Sequence, residues 1–512
     1  MSLVSSVARR FHDETTHSPY SVRTSGHTLD WDNKPFPFKI YTDAPSLALP
    51  RDIDVVATPT LPALATPAPP LAPLTLPALT ALLYYAAGVT KKKTYPGGGE
   101  VLFRAAASTG ALYQTEVYVV AGEVDGLEAG LYHFCPGDFT LRRVRAGDVR
   151  GAVAEAAAEP TLGRRAATLV LSAIYWRNTW KYQARGYRHL FWDSGTMLAN
   201  ALAVGGALGL APALATGFVD AAVNHLLGVD AEREAALELL AVGPEGASAP
   251  PTGELAALAH DVMPLSSEEV DYPALREMHR ASSLATAGDV AAWRRVVAAP
   301  AREPGGPLLA LPAPAVDSRP LGEAIQRRGS TRQFGHAPLT AAELASALWA
   351  ATRPVPADVP DGLVDLYVIV NAVDGVAPGA YAYWPGRGLE LVRQGDFRRE
   401  AAYLTLEQAL GGDAAATVFF LAPLDAILAA WGERGYRVAN LQAGIAGGRA
   451  YLAAYSGGFG ASGLTFYDAD VVRFFSPHAA GRDAIFVTTL GRAGSTQSGM
   501  LLSNAIQPPR RS

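Results

Sequence analysis

The 512-residue sequence is poor in cysteine and in charge. Cys135 is its one cysteine, which excludes an internal disulfide and a multi-thiolate metal site and fits a reducing cytoplasm. Charged residues make up 18% of the chain and the net charge is −5, with no basic block beyond Lys91-Lys92-Lys93. Nucleic-acid binding is therefore disfavoured. Apolar residues make up 49%, the balance of a globular chain.

The chain also lacks targeting and metal-binding signals. Residues 1–14 carry charges where a secretory signal needs an apolar core, and the dispersed histidines have no metal-ligand spacing. The uncharged run 196–219 is long enough for a membrane span, but it contains Asn200, Pro212 and several glycines. We interpret it as a buried helix whose small residues allow close contact with a second helix. We expect a cytoplasmic protein without metal or membrane segments.

The sequence contains an internal repeat with a constant separation of 249 residues. Three separate matches on one offset are hard to obtain by chance, and they predict two copies of one folding unit. The matching pairs are Val124-Asp125-Gly126 with Val373-Asp374-Gly375, residues 130–136 with 379–385, and Arg185-Gly186-Tyr187-Arg188 with Arg434-Gly435-Tyr436-Arg437.

Apolar periodicity gives each copy the order helix, strand, strand, helix, helix, which predicts an α+β fold. In the first copy we predict a helix at 77–88 and strands at 116–120 and 131–134, with Cys135 in the core. Helix-like pieces at 254–262 and 290–298 lie between the copies. The predicted organisation is an irregular N-terminal arm (1–50), a first domain (51–245), a partly helical linker (246–315) and a second domain (316–500).

The two copies differ in their chemistry. The second copy has Arg328-Gly329-Ser330-Thr331-Arg332 before a helix that begins near Thr340, and arginines with a hydroxyl at alternate positions can cradle a phosphate. The matching region of the first copy, about residues 60–67, has no basic residue. The first copy has Lys181-Tyr182 where the second has Ala430-Trp431, and it carries an insertion at 104–113.

Taken together, these features resemble the SagB-type dehydrogenases, the azoline oxidases of peptide natural-product assembly, and each half looks like a nitroreductase-fold flavoprotein domain. The resemblance covers nearly the whole chain. The stretches that carry it are residues 11–17, 31–35, 37–39, 108–113, 181–182, 185–188 and 461–468, with Tyr272-Pro273, His279 and Arg328-x-Ser330-x-Arg332. The chain departs from the family pattern at Ala107, where a proline is usual, and at Gly195-Thr196, where a Gly-His pair is usual.

The resemblance implies two tandem nitroreductase-like domains that form an intramolecular pseudo-dimer, with FMN between them. It assigns the phosphate to the second half and the active-site side of the flavin to the first, so that one chain binds one FMN. The mirror-image site lacks both sets and should be empty. The cofactor-binding residues so implied are Arg328, Ser330, Arg332, Arg492, Ser108, Thr109, Gly110, Ser462 and Gly463, and the catalytic residues are Lys181 and Tyr182.

The function so implied is an FMN-dependent oxidation of thiazoline or oxazoline rings to azoles in a modified peptide. A ring proton must be removed, and Lys181 or Tyr182 is the candidate base; a lysine needs burial or nearby cations to act at pH 7. Molecular oxygen would be the final acceptor, and cyclodehydratase proteins are possible partners of a monomeric enzyme.

Other interpretations of the same residues stay open. The enzyme could be a nitro- or quinone-type reductase or another desaturase, and the protein could be a non-catalytic scaffold of a peptide-modifying complex. Lys181-Tyr182 could be a solvated helix start, and Arg328 and Arg332 could form surface ion pairs. Ser108 and Thr109 could cap a helix, which is compatible with flavin binding.

Overall fold

The computed structural model describes residues 6–65, 73–94, 100–296, 302–314 and 318–494. Its elements up to the end of the first half are α1 (Val7–Glu14), α2 (Pro19–Thr24), β1 (Ser46–Ala48), α3 (Thr60–Ala63), α4 (Leu76–Ala87), β2 (Val89–Thr94), β3 (Glu100–Arg104), β4 (Thr115–Ala121), β5 (Gly130–Cys135), β6 (Thr140–Ala146), α5 (Arg150–Ala156), β7 (Arg165–Ile174), α6 (Tyr175–Tyr182), α7 (Gly186–Ala207), β8 (Ala213–Ala215), α8 (Asp220–Leu227) and β9 (Glu234–Glu245).

The remaining elements are α9 (Pro273–Ala281), α10 (Ala287–Arg294), β10 (Leu308–Leu309), α11 (Leu321–Arg327), β11 (Leu339–Thr340), α12 (Ala341–Ala351), β12 (Asp365–Val370), β13 (Val373–Asp374), β14 (Gly379–Trp384), β15 (Gly388–Gln394), α13 (Arg398–Leu404), α14 (Ala409–Asp413), β16 (Ala416–Ala422), α15 (Leu424–Trp431), α16 (Arg434–Gly457), β17 (Gly460–Gly463), α17 (Asp468–Phe475) and β18 (Asp483–Gly491). Short 3-10 turns lie at Thr109–Ala111, Pro160–Gly163 and Gln183–Arg185.

Each half is built on a seven-stranded sheet, and the two sheets have the same topology. The orders are β1-β6-β5-β4-β7-β9-β8 and β10-β15-β14-β12-β16-β18-β17, so the strands correspond one to one. The sheet and helix content confirms the α+β class and the tandem arrangement. The predicted strands at 116–120 and 131–134 are β4 and β5, and the predicted helix at 77–88 is α4. Thr340 caps α12 at the predicted position.

The long helices α7 and α16 cross at the centre of the molecule through small residues. A Cβ added to Gly195 would lie 2.7 Å from the backbone of Ile445, and one on Gly448 would lie 2.7 Å from the Cβ of Ala199. Backbones can approach this closely only where side chains are absent. The predicted contact of the small-residue run with a second helix is therefore present.

The extent of that run was predicted wrongly. The helix α7 begins at Gly186 and ends at Ala207, whereas the uncharged run 196–219 continues through β8. Gly209 adopts a positive φ of 69° and Pro212 lacks a backbone N–H, so the chain leaves the helix despite its apolar composition. None of the helices in the described residues is long and apolar enough to cross a bilayer.

Two buried ion clusters join the halves in a pseudo-symmetric way. Arg185 and Arg188 at the start of α7 contact Asp468 of the second half at 3.0 and 2.6 Å. Their counterparts on α16 both contact Asp220 of the first half at 2.7 Å. Burial alone would raise the pKa of Asp220, but the two guanidinium groups bring it to about 2. The repeated Arg-Gly-Tyr-Arg sequence is therefore a clamp between the halves.

The segments predicted as arm and linker belong to this pseudo-symmetric core. The arm contains the short helices α1 and α2 and is irregular from residue 25 to residue 45. The inner face of α1 is buried and places His12 Nδ1 3.3 Å from the hydroxyl of Tyr436. The linker helix α9 places His279 Nδ1 3.4 Å from the hydroxyl of Tyr187, the counterpart of Tyr436. The short strands β1 and β10 extend the two sheets from these segments.

One predicted linker helix, at 254–262, is absent. The segment is irregular, and His260 Nε2 contacts the carbonyl oxygen of Val144 at 2.9 Å. Met263 donates its N–H to Ile40 at 2.9 Å, and Leu255 packs against the smaller core of the first half. Contacts with the rest of the molecule outweigh local helix propensity here. The second linker helix is present as α10, which ends at Arg294; residues 297–301 lie outside the described part.

Candidate functional site

A cavity of about 740 Å³ lies between the two halves. Its volume is in the range of small-molecule and cofactor sites. The first half contributes the β2–β3 hairpin and the loop that follows it; the second contributes the loop after α11 and the turn between α16 and β17. The main lining segments are Lys91, Lys93, Val101 and Phe103, then Ala107, Ser108, Ala111 and Tyr113, then residues 327–333, and Tyr455 with residues 458–460.

The cavity wall is strongly basic. Six of its lining residues are cationic, and no carboxylate stands among the lining residues that the structure describes. Clustered positive charges repel each other, and an anion bound among them offsets that repulsion. The site therefore fits an anionic ligand. The cations are Lys91, Lys93, Arg319, Arg327, Arg328 and Arg332.

The loop after α11 holds the predicted phosphate residues. Thr331 donates its N–H to Ala461 at 2.9 Å, which fixes the loop beside β17. Ser330 Oγ lies 3.3 Å from the hydroxyl of Tyr451. Arg332 is exposed, lines the cavity, and has no hydrogen-bond or ion-pair partner among the described residues. Ser330 and Arg332 are thus placed where an anion can reach them.

Arg328 has a different setting. The residue is 7% exposed, and its guanidinium donates hydrogen bonds to backbone carbonyl oxygens. Its Nε donates to the carbonyl oxygen of Ala105 at 2.6 Å, and its Nη2 donates to Arg104 at 2.8 Å and to Ala106 at 3.1 Å. These carbonyls directly precede the loop that carries Ser108. Arg328 therefore joins the loop 328–332 of the second half to the opposite wall, in addition to lining the cavity.

The loop of Ser108 and Thr109 is held by a buried carboxylate that the sequence analysis missed. Asp193 on α7 accepts hydrogen bonds from Ser108 Oγ at 2.6 Å and from Thr109 Oγ1 at 2.7 Å. It also accepts from the Thr109 N–H at 2.8 Å and from Gln114 Nε2 at 2.8 Å. Burial raises its pKa to about 6 against the lowering effect of these donors. Thr196, one turn along, donates to the carbonyl oxygen of Ala107 at 2.6 Å.

The backbone of this loop is strained. Gly110 has a φ of 65°, and the two non-glycine residues Ala111 and Tyr113 have φ values of 54° and 53°. Left-handed backbone at non-glycine residues persists only where the surroundings hold it, and it is common in ligand-binding loops. Here Asp193 and Thr196 supply that restraint.

Lys181 and Tyr182 end α6 next to this loop. A Cβ on Gly110 would lie 2.9 Å from the hydroxyl of Tyr182, so the phenol rests on the glycine. Burial lowers the pKa of Lys181, and the positive charges of Arg332 and Lys34 lower it further. Burial and the nearby Asp193 raise the pKa of Tyr182. The pair stands at the end of a helix, not at its start, and Arg332 of the other half lies close to both.

Five predicted cofactor residues do not line the cavity, and neither do the predicted catalytic residues Lys181 and Tyr182. Thr109 and Gly110 lie in the loop between the lining residues Ser108 and Ala111. The other three lie in or next to the strands β17 and β18. Arg492 donates through Nη2 to Glu343 at 2.7 Å, although the following residues Ala493 and Gly494 reach the cavity. Ser462 and Gly463 lie in β17, where the Gly463 N–H donates to the hydroxyl of Tyr451. The Ser462 hydroxyl is buried and has no hydrogen-bond partner among the described residues. Ser462 and Gly463 are thus part of the strand beside the cavity, and Arg492 pairs with a carboxylate instead of lining it.

The strand of the first half that corresponds to β17 packs against a segment of the second half. In the second half, β17 begins at the cavity, and its counterpart in the first half is β8. The N–H of Leu214 in β8 donates to the carbonyl oxygen of Pro356 at 2.7 Å. The carboxylate of Asp358 accepts hydrogen bonds from the N–H groups of Thr216 at 2.8 Å and Gly217 at 2.9 Å. Residues 356–358 of the second half therefore pack against β8 and the residues that follow it.

Two matching α+β halves with a basic, loop-lined cavity between them define a tandem protein with a candidate site for an anionic ligand. The model of the nitroreductase family matches residues 72–244 and 325–478, and the chain belongs to that family. Its tandem domains are two copies of the family unit. Membership of this family supports the interpretation of the protein as an oxidoreductase.

Known proteins match either the whole chain or part of it. A crystal structure of a protein from Anabaena variabilis assigned as a nitroreductase superposes with a TM-score of 0.77 at 27% identity, over 96% of this chain and 100% of that one. A protein of Methanocaldococcus jannaschii assigned as a nitroreductase, MJ1384, is 30% identical over 33% of this chain and 81% of its own length.

Two proteins named for the processing of trifolitoxin and of microcin B17 also match. The trifolitoxin-processing protein TfxB of Rhizobium leguminosarum is 29% identical over 33% of this chain. The microcin B17-processing protein McbC of Escherichia coli is 28% identical over 27% of this chain. The matches span 47% and 49% of these relatives, about half of their length.

Proposed function

We propose that this protein is an FMN-dependent dehydrogenase that oxidises thiazoline or oxazoline rings to azoles in a modified peptide. The observation that carries the proposal is the position of Lys181 and Tyr182. They stand beside the Ser108–Tyr113 loop, within the electrostatic reach of Arg332 across the cavity. Lys181 and Tyr182 belong to the first half and Arg332 to the second, so the proposed base and the proposed anion site come from different halves.

The residues present fit FMN. Arg332 and Ser330 would hold the phosphate, since a guanidinium and a hydroxyl form charge-assisted hydrogen bonds with phosphate oxygens. Lys91 and Arg327 add positive charge to the same wall. The Ser108–Tyr113 loop and Tyr182 would face the ring system. When bound, FMN supplies the hydride acceptor of the reaction.

Lys181 is the proposed base. A ring proton must leave the azoline as the hydride departs, and a neutral amine can accept it. Burial and two neighbouring cations favour the neutral form of Lys181. Tyr182 keeps its proton, because its pKa is raised, so we assign it a hydrogen-bond donor's role in orienting the ring. Both residues lie in the half whose counterpart positions are Ala430 and Trp431.

The peptide substrate is supported by relatives. TfxB and McbC are named as processing proteins of trifolitoxin and microcin B17, and the sequence motifs resemble those of SagB-type dehydrogenases. We further propose molecular oxygen as the final acceptor and cyclodehydratase proteins as partners that make the azoline.

The test uses the flavin-loaded full chain with a synthetic thiazoline peptide in air. We expect the peptide to lose the mass of two hydrogens, and Lys181→Ala to lower the rate by about 10²-fold or more. The matched control is Lys92→Gln, a lysine on the outer face of β2. Absence of the mass loss with the wild-type protein, or an unchanged rate in Lys181→Ala, would contradict the proposal.

A nitro- or quinone-type reductase is the second candidate, and the match to MJ1384 favours it. Hydride transfer from NAD(P)H to such an acceptor needs no ring-proton base. A reductase would therefore reduce a nitroaromatic with NAD(P)H at the same rate with or without the Lys181 amine, whereas the dehydrogenase depends on it.

A further inference from the structure

The three consecutive lysines of β2 do not point the same way. Side chains alternate along a strand, so Lys91 and Lys93 share one face and Lys92 takes the other. Lys91 and Lys93 are each 7% exposed and line the cavity. Lys92 is more exposed and pairs with Glu100 of the neighbouring strand. The first half thus brings two of its three lysines to the cavity.

Lys91 reaches the loop that carries the predicted phosphate residues. Its Nζ donates to the carbonyl oxygen of Arg327 at 2.8 Å and also to that of Arg328. A Cβ placed on Gly329 would lie 3.9 Å from the same Nζ. Because an ammonium has three donors, one remains after these two bonds. The hairpin of one half therefore lies directly against the loop 328–332 of the other.

The two halves hold each other at this point. Lys91 of the first half donates to backbone carbonyls of the second, and Arg328 of the second half donates to carbonyls of residues 104–106 of the first. Burial and the charge of Arg328 lower the pKa of Lys91 to about 8. These cations stand in a wall without a carboxylate among its described residues, which is the setting of an anion site.

We propose that Lys91 and Lys93 bind the phosphate of the flavin, so that the phosphate is held from both halves. The inference rests on the FMN binding of the proposed function and extends it. The sequence-based division gave the phosphate to the second half alone. The structure adds two cations from the first half, on the hairpin that precedes the Ser108 loop.

The experiment compares FMN with riboflavin, which lacks the phosphate, in the flavin-free full chain. Binding is measured by the change in flavin fluorescence. We expect Lys93→Gln and Lys91→Gln each to weaken FMN binding about tenfold or more, because each removes a charge-assisted contact. Riboflavin binding should be unchanged. Lys92→Gln removes the same charge from the other face of the strand and should change neither affinity by more than about twofold.

Some outcomes would overturn the proposal. They are an FMN affinity unchanged in Lys93→Gln, an equal loss for FMN and riboflavin, and a loss in Lys92→Gln as large as in Lys93→Gln. Lys91→Arg keeps the charge and should restore most of the FMN affinity, which separates charge from a folding defect. If these lysines favour FMN over riboflavin but the wild-type protein oxidises no azoline, the inference stands and the proposed reaction is refuted.

Discussion

Asp193 is the residue on which the first-half wall of the cavity depends. Its two carboxylate oxygens accept from two hydroxyls, a backbone N–H and an amide, which together fix a strained loop. Its counterpart at the 249-residue offset is Gln442. That residue accepts from the Leu363 N–H at 3.1 Å and donates to Pro360 at 2.7 Å. The same helix position therefore anchors the adjoining loop in both halves.

Asp193→Asn should destabilise the protein by about 1–3 kcal/mol. The change replaces one accepting oxygen by an NH₂ group, which faces hydrogen-bond donors and leaves at least one of them without an acceptor. The measurement is denaturant unfolding at pH 7. Asp13→Asn, a change of the same kind at an exposed carboxylate, should cost less than about 0.5 kcal/mol. Equal effects of the two changes would show that Asp193 does not restrain the loop.

The pH dependence of the rate should report the surroundings of Lys181. A base must be neutral to act, so the rate rises with pH through the lowered pKa of Lys181. Lys34→Gln removes one of the two cations that lower this pKa. The pKa should therefore rise, and the ascending limb of kcat/KM against pH should move to higher pH. A limb that stays in place, or moves to lower pH, would show that another group titrates.

At the scale of single residues, contiguous motifs could be picked out from the sequence, but the residues that hold those motifs in place could not. Ser108-Thr109 and Lys181-Tyr182 were recognisable because each forms a contiguous motif. Asp193 was not, because its partner Thr109 is 84 residues away and one acid in a long helix has no local signature. Lys91 and Lys93 were noted only as charge. Their alternation on a strand was the signal that could have placed them on one wall.

The crossing of α7 and α16 is the element on which the arrangement of the halves rests. The glycines at the crossing leave no room for a side chain, and interiors at this density respond to a single added methylene. Both helices also present the arginine clamps at their first turns. Packing at the crossing therefore sets the distance across which the cavity walls face each other.

Gly195→Leu should destabilise the protein by about 1–3 kcal/mol or more, since its side chain would displace the backbone of α16. Thermal unfolding measures the effect as a lower Tm. Gly253→Ala, at a glycine with no heavy atom within 4 Å of an added Cβ, should leave Tm nearly unchanged. A Tm of Gly195→Leu equal to that of the wild type would contradict the close crossing.

Element boundaries show where sequence patterns stop being informative. Period-two alternation located β4 and β5, and helical spacing located α4, because each of these elements presents an apolar face to the core. The run from 196 to 219 is apolar throughout, so its period could not distinguish the end of α7 from the strand β8. The segment 254–262 has helical spacing, yet the contacts of His260 with Val144 and of Asp261 with Thr42 hold it in an irregular conformation.

On the scale of the whole molecule, one chain should bind one FMN. The basic cavity takes its loop 327–333 from the second half, and the matching region of the first half, about residues 60–67, has no basic residue. In the loaded protein, the flavin concentration obtained from its absorbance should approach one mole per mole of chain. A ratio near two would mean that both positions bind and would contradict a single site per chain.

Flavin binding should also stabilise the pair of halves as a unit. A ligand that binds only the folded chain adds about 2.7 kcal/mol at a concentration 100 times its Kd. FMN at that excess should raise Tm, and riboflavin at the same concentration should raise it less because it lacks the phosphate. Equal shifts for the two flavins would argue against an anion site at the basic wall.

The clamps between the halves constrain the order in which the protein can be completed during synthesis. The carboxylate that neutralises Arg185 and Arg188 is Asp468, which is translated 283 and 280 residues after them. Until it emerges from the ribosome, the N-terminal half holds two guanidinium groups without their counter-charge and a glycine-rich helix face without its cover. These groups become buried only when the second half covers them, and a buried charge needs its partner, so the N-terminal half cannot reach its final packing before Asp468 is translated.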